Sequence, residues 1–136
     1  MSQDNEMIEV LYHSSYGGYS VSKQACELYN QRQCMGTTLT EHQINYEVKR
    51  HDPVLIQIYR ELGSKFSRNG NKNISIMEID KKYTDFYTIS EYDGLESVEI
   101  NYDKWELFDL KNKIRNIIKM DSSNDDKIAK LMNLNL

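Results

Sequence analysis

The residues able to do chemistry in this chain gather in three short stretches, each at a turn. The first is His13-Ser14-Ser15-Tyr16-Gly17-Gly18-Tyr19, the second Arg50-His51-Asp52-Pro53, and the third Glu91-Tyr92-Asp93-Gly94-Leu95-Glu96. Binding groups concentrate on loops held by a rigid scaffold, so all three are candidate sites. In the first, adjacent glycines free the backbone to present consecutive N–H groups to an anion, and Ser14, Ser15, Ser20 and Ser22 add hydroxyl donors. The pattern is neither a G-x-G-x-x-G fingerprint nor a P-loop, and a glycine turn followed by a serine cap is the simpler account of it. In the second stretch, Arg50 can grip an anion with two parallel hydrogen bonds, and His51 can act as acid or base near neutral pH. The structural alternative leaves Asp52 as a helix cap and both neighbours in solvent. In the third, an Asp93-Gly94 turn sets Glu91 directly across from Glu96, where like charges are unfavourable. A wet face, a shared proton or an intervening cation (Arg50, Arg60 or a metal) would resolve the conflict. Paired carboxylates with split pKa values are also an acid–base device. His13 and His42 look more ordinary.

Composition bounds these readings. A chain of 136 residues with 39% hydrophobic and 28% charged residues is expected to form one domain with a single core. A formal net charge of -4 argues against general affinity for nucleic-acid backbone, but leaves local anion binding open. Cys26 and Cys34 fit neither a disulfide framework nor a zinc spacing, so both are expected to be reduced. The three histidines and scattered carboxylates lack metal-ligand spacing such as H-E-x-x-H, and no cofactor is expected. The stretch Met1-Ser2-Gln3-Asp4-Asn5-Glu6 is too acidic for a signal peptide, and no apolar run nears the ~20 residues of a membrane span. A soluble, cytoplasmic protein is therefore expected.

The elements that must position these residues follow from patterning. Met7 to Tyr12 alternates with apolar residues on both faces, which predicts a central strand. Ser22 is a credible cap for a helix through about Gln33, with Ala25, Leu28 and Tyr29 as its stripe. Gln43 to Lys49 reads as extended. Asp52 and Pro53 open the best-marked helix, whose stripe is Leu55, Ile58, Tyr59, Leu62 and Phe66. Ile74 to Ile79 is a strand, and Tyr87 to Asn101 a hairpin turning at Asp93-Gly94. A last helix begins near Asp103, with Leu107, Leu110, Ile114, Ile117 and Ile118 on one side, and Lys127 to Leu136 is a short helix or a frayed tail. The expected fold is α+β: a small, mostly antiparallel sheet with a DG hairpin and helices packed on one face. Residues 1–105 form the domain and 106–136 a C-terminal helical extension.

The order Tyr12-x-Ser14-x-Tyr16-Gly17-Gly18-Tyr19-x-x-Ser22, then Arg50-His51-Asp52-Pro53-x-Leu55 with Leu62-Gly63, then Ile76 to Ile79, then Glu91-Tyr92-Asp93-Gly94-x-Glu96, resembles an uncharacterised family of small proteins from giant DNA viruses and phages. The resemblance covers about Ile8 to Trp105. Where this chain has Ser15, that family often carries a cysteine. The resemblance implies a viral origin and no settled chemistry.

Three functions are compatible with these residues. The first is a binding protein for a small phosphorylated, nucleotide-like ligand, by analogy one that sequesters a host signalling nucleotide. Gly17 and Gly18 would donate to it, Arg50 would pair with phosphate, Tyr16 or Tyr19 would stack on a base, and a homo-oligomer would bury it. Ser15 and His51 would complete the site. The second is a hydrolase or nucleotidyl-type enzyme using His51 with Glu91 and Glu96. The third is a structural or virion interaction protein in which the motifs only build turns.

Overall fold

A computed structural model describes residues 6–68, 70, 73–120 and 122–134. The chain divides into two compact units, 1–100 and 101–136. The expected α+β class is what forms: helices accompany two antiparallel two-stranded sheets.

In the first unit, β1 (Met7–His13) pairs antiparallel with β2 (Ile74–Asp80), from Met7 opposite Asp80 to His13 opposite Ile74. The second sheet is the hairpin β3 (Tyr87–Tyr92) and β4 (Leu95–Ile100), in the register that the turn implied, with Glu91 opposite Glu96. Asp93 and Gly94 take φ of 50° and 84°, as a primed two-residue turn requires. One correction concerns β1, which is not a central strand. Among the described residues it pairs with β2 alone, and its second edge is met in part by non-strand groups: Leu11 N donates to Arg50 O at 2.9 Å.

Local signals explain the helices. Helix α1 (Lys23–Arg32) is capped by Ser22, whose hydroxyl accepts from Ala25 N at 3.2 Å. A second correction concerns Gln43 to Lys49, expected to be extended: its first half belongs to helix α2 (Glu41–Tyr46). Thr40 and Gln43 make a capping box, and helical spacing buries Ile44 and Asn45 together. Helix α3 (Pro53–Leu62) starts where Asp52 accepts from Val54 N at 2.9 Å and Leu55 N at 3.2 Å. It stops before Phe66 because Gly63 adopts φ 57°, and residues 63–66 continue as a tighter turn.

The core of this unit lies between the β1–β2 ladder and helices α1 and α3. Leu11 and Ile74 contribute from the strands, Ala25, Cys26 and Tyr29 from α1, and Leu55, Ile56 and Ile58 from α3, with Phe66 fully buried. Truncating Phe66 to alanine would cost about 3–5 kcal/mol. Tyr29 also ties α1 to the start of α3: its hydroxyl donates to Asp52 at 2.9 Å, and burial and that carboxylate push its phenol up to about 12. Cys26 is buried and Cys34 exposed, both as free thiols, and burial raises the Cys26 thiol to about 11.

In the second unit, α4 (Tyr102–Ile118) begins at Asn101, whose side chain accepts from Lys104 N at 2.9 Å. Helix α5 (Asn124–Met132) begins at Ser123 in the same way. The division between units thus falls at a helix cap, ahead of the expected boundary at 105. Among the described residues, no helix is long and apolar enough to cross a membrane.

Candidate functional site

Arg50 and His51 are adjacent in the sequence and line one cleft, yet their polar atoms have different partners. Strand β4 carries Glu96 into the interior, where it is 8% exposed. Arg50 meets it with two parallel hydrogen bonds, Nη1 to Oε1 at 2.7 Å and Nη2 to Oε2 at 3.0 Å. The backbone amide of His13 donates to the same Oε1 at 2.8 Å. Arg50 Nη1 also donates to Leu11 O at 3.3 Å, and the guanidinium carbon lies 3.5 Å from the centroid of the Tyr19 ring. The anion that Arg50 grips is therefore a carboxylate of its own chain, and the Tyr19 ring is already engaged by a cation. Burial pushes the Tyr19 phenol far above its ordinary value, with Arg50 opposing the shift.

The two glutamates do not act as a pair. Although they are cross-strand neighbours, Glu91 accepts from Gly94 N at 2.7 Å and so closes the turn, while Glu96 takes Arg50. Of the ways to relieve the like charges, an intervening cation applies to Glu96, and that cation is Arg50. Arg60 instead pairs with Glu9. Among the described residues, no group of three or more His, Cys, Asp or Glu side chains could hold a metal.

The Gly17-Gly18 loop is seated on the hairpin turn. Gly17 N donates to Asp93 O at 3.2 Å. A side chain at Gly94 would overlap the Gly18 amide nitrogen and place its Cβ 2.7 Å from Gly17 N. Both loop glycines have positive φ, 114° and 88°. The glycines thus serve a close approach of two backbones, and at least one of their amides faces a carbonyl of the turn. His13, fully buried, fastens the same junction: its Nδ1 lies 2.6 Å from Ser15 O and 3.2 Å from Gly94 O. Two carbonyl acceptors there require the proton on Nδ1, which leaves Nε2 buried without a partner among the described residues. Among the described residues Ser15 Oγ reaches only Tyr16 O, and the Tyr16 ring is exposed.

His51 opens onto a cleft of about 400 Å³ between residues 45–51 and residues 84–89, all within the first unit. Its lining includes Tyr46, Lys49, Asp85, Tyr87 and Thr88. His51 Nδ1 and Tyr87 Oη are 2.6 Å apart, with the two rings edge to face at 5.6 Å. Burial, then the nearby Lys49 charge, lower the His51 pKa against the weaker pull of Asp85 and Asp52. The imidazole is therefore neutral at pH 7. Burial also raises the Tyr87 phenol, which keeps its proton to share with Nδ1. Nε2 is then the ring atom left for a ligand. Among the described residues Lys49 has no carboxylate within ion-pair distance, in contrast to Arg50.

The structure thus gathers Tyr16, Gly17, Gly18, Tyr19, Arg50, Glu91 and Glu96 around one junction, and sets His51, with Arg50 beside it, on the cleft. Sequence reasoning missed Lys49, Asp85, Tyr87 and the structural part of His13. The run Lys49-Arg50-His51 was the one available signal for Lys49. No family model, curated protein or solved structure matches the chain.

Proposed function

We propose that the first unit is a binding module for a small phosphorylated, nucleotide-like ligand, held in the cleft that His51 lines. The observation that carries this reading is the convergence there of Lys49 with a neutral, Tyr87-oriented His51. An ammonium and an imidazole N–H suit phosphate oxygens, while Asp85 and Thr88 across the cleft suit sugar hydroxyls. Tyr46 is 74% exposed at the rim, with the His42 ring 4.7 Å behind it, and offers a flat face for a base. Arg50 reinforces the cleft wall through Glu96 and does not meet the phosphate. The resemblance to small viral proteins extends the proposal to sequestration of a host signalling nucleotide, within a homo-oligomer.

The test is a melting-temperature screen of nucleotides, followed by native mass spectrometry of any hit. A ligand should raise the melting temperature, come off intact on denaturation, and lose its effect in Lys49→Ala and His51→Ala. A second reading, a hydrolase, draws on the other tautomer of the neutral His51, in which Nδ1–H donates to Tyr87 Oη and the bare Nε2 is a competent base. Conversion of the ligand on incubation would favour it. Glu91 and Glu96 would take no part, because each is committed elsewhere.

A further inference from the structure

Charge in the His51 cleft is unevenly balanced. Each wall carries an exposed carboxylate, Glu47 in the stretch 45–51 and Asp85 in the stretch 84–89. Among the described residues neither enters an ion pair, so neither charge is cancelled within the chain. Lys49 is a cation in the same state, whereas the Arg50 charge is met by Glu96 at 2.7 Å. His51, neutral at pH 7, adds a hydrogen-bond donor but no charge. Among the described residues, the uncancelled acidic groups of the cleft therefore outnumber the basic ones, Glu47 and Asp85 against Lys49. Size sets a second bound. At about 400 Å³ the cleft lies near the lower end of the roughly 300–1,000 Å³ of small-molecule sites, which is room for one nucleotide rather than two.

We propose, on the footing that this cleft binds a nucleotide, that Glu47 and Asp85 make it select a mononucleotide with a single phosphate group over the di- and triphosphates. One phosphate monoester, at about −1.5 to −2 charges, is met by the Lys49 ammonium and the His51 Nε2–H, whose donors suit its terminal oxygens. A second and a third phosphate add negative charge. Among the described residues of the cleft they find no further uncancelled cation, and a carboxylate on each wall repels them. Arg50 does not fill that place, since its Nη1 and Nη2 donate to Glu96 and Leu11. Nor does the glycine loop offer a backbone cradle for a longer phosphate chain, because Gly17 N already donates to Asp93 O at 3.2 Å. Asp85 can accept from a sugar hydroxyl and still repel a phosphate chain, because such a hydrogen bond leaves its charge in place.

The probes are adenosine and its mono-, di- and triphosphates, titrated into the whole chain by calorimetry at low ionic strength with a chelator to remove divalent cations. The monophosphate should bind most tightly, about tenfold better than adenosine and about fivefold better than the triphosphate. Glu47→Gln and Asp85→Asn keep side-chain shape and remove charge. Each should narrow the gap between mono- and triphosphate, and the double variant should close it. High salt should narrow the same gap on the unaltered protein, an arm that does not depend on how the variants fold. A triphosphate that binds more tightly than the monophosphate would overturn the proposal and leave the nucleotide reading standing. A preference that survives unchanged in the double variant and in high salt would overturn it too, since a steric limit and not charge would then be at work. If none of the four binds, or adenosine matches the monophosphate, the phosphate reading of the cleft falls and the proposal with it.

Discussion

Two regions built around neighbouring residues, the Arg50–Glu96 junction and the His51 cleft, use charge in opposite ways. At the junction the cation is consumed. Its two forks meet one carboxylate, its face meets Tyr19, and the partners come from β1, β4 and the loop between β1 and α1. At the cleft, Lys49 has no such partner among the described residues and His51 keeps one ring nitrogen available. An arginine that commits most of its donors to groups of its own chain has little left for a ligand, however ligand-like its sequence context. Chemistry is left to the residue beside it.

The largest expected effect breaks the junction. Glu96→Gln leaves Arg50 buried without its counter-charge and should cost about 3–5 kcal/mol, while the double variant Arg50→Met/Glu96→Leu recovers most of that loss. Hydrogen exchange of the β1 amides reads both, because those amides report on the first unit. Next, Gly94→Ala must relieve a collision with the Gly18 backbone as well as an unfavourable φ, and should cost about 2–3 kcal/mol in denaturant unfolding. Gly36→Ala, where φ is also positive but nothing lies within 4 Å, isolates the backbone part and should cost only about 1 kcal/mol.

The cleft should respond in affinity rather than stability. Lys49→Ala should weaken binding of a phosphorylated ligand about tenfold, roughly 1.4 kcal/mol, with the unliganded melting temperature nearly unchanged. The smallest effect is a pH dependence. The folded state holds His51 below its ordinary value, so between the two values the unfolded chain binds more protons. Stability contributed by the neutral ring is complete above about pH 6.5 and is lost as the pH falls from there toward the folded value. In His51→Asn, the drop in melting temperature between pH 7.5 and 5.5 should be smaller than in the unaltered protein.

What was legible in the sequence was local. The Ser22 cap, the Asp52-Pro53 start and the Asp93-Gly94 register rest on residues within a few positions of one another, and each took the expected form. Helix α2 was equally local, but Thr40 and Gln43 had to be seen together as a capping box for its helical sense to show. The site was less legible, because its decisive contacts join distant positions. Arg50 and Glu96 are 46 residues apart, and His13 and Glu96 are 83 apart. No pattern in either stretch states that the anion for Arg50 is supplied from within. Tyr87 illustrates the same limit: its parity marked it as one member of an apolar face, whereas its hydroxyl orients His51.

The most direct test of the division between junction and cleft is a chemical-shift titration of the whole, isotope-labelled protein with adenosine monophosphate. That probe offers phosphate, sugar hydroxyls and a flat ring together. Saturable shifts at Lys49, His51 and Tyr87, with Gly17 and Gly18 unmoved, are the expected result. Shifts centred on Gly17, Gly18 and the Arg50 guanidinium, or none in either region, would contradict it.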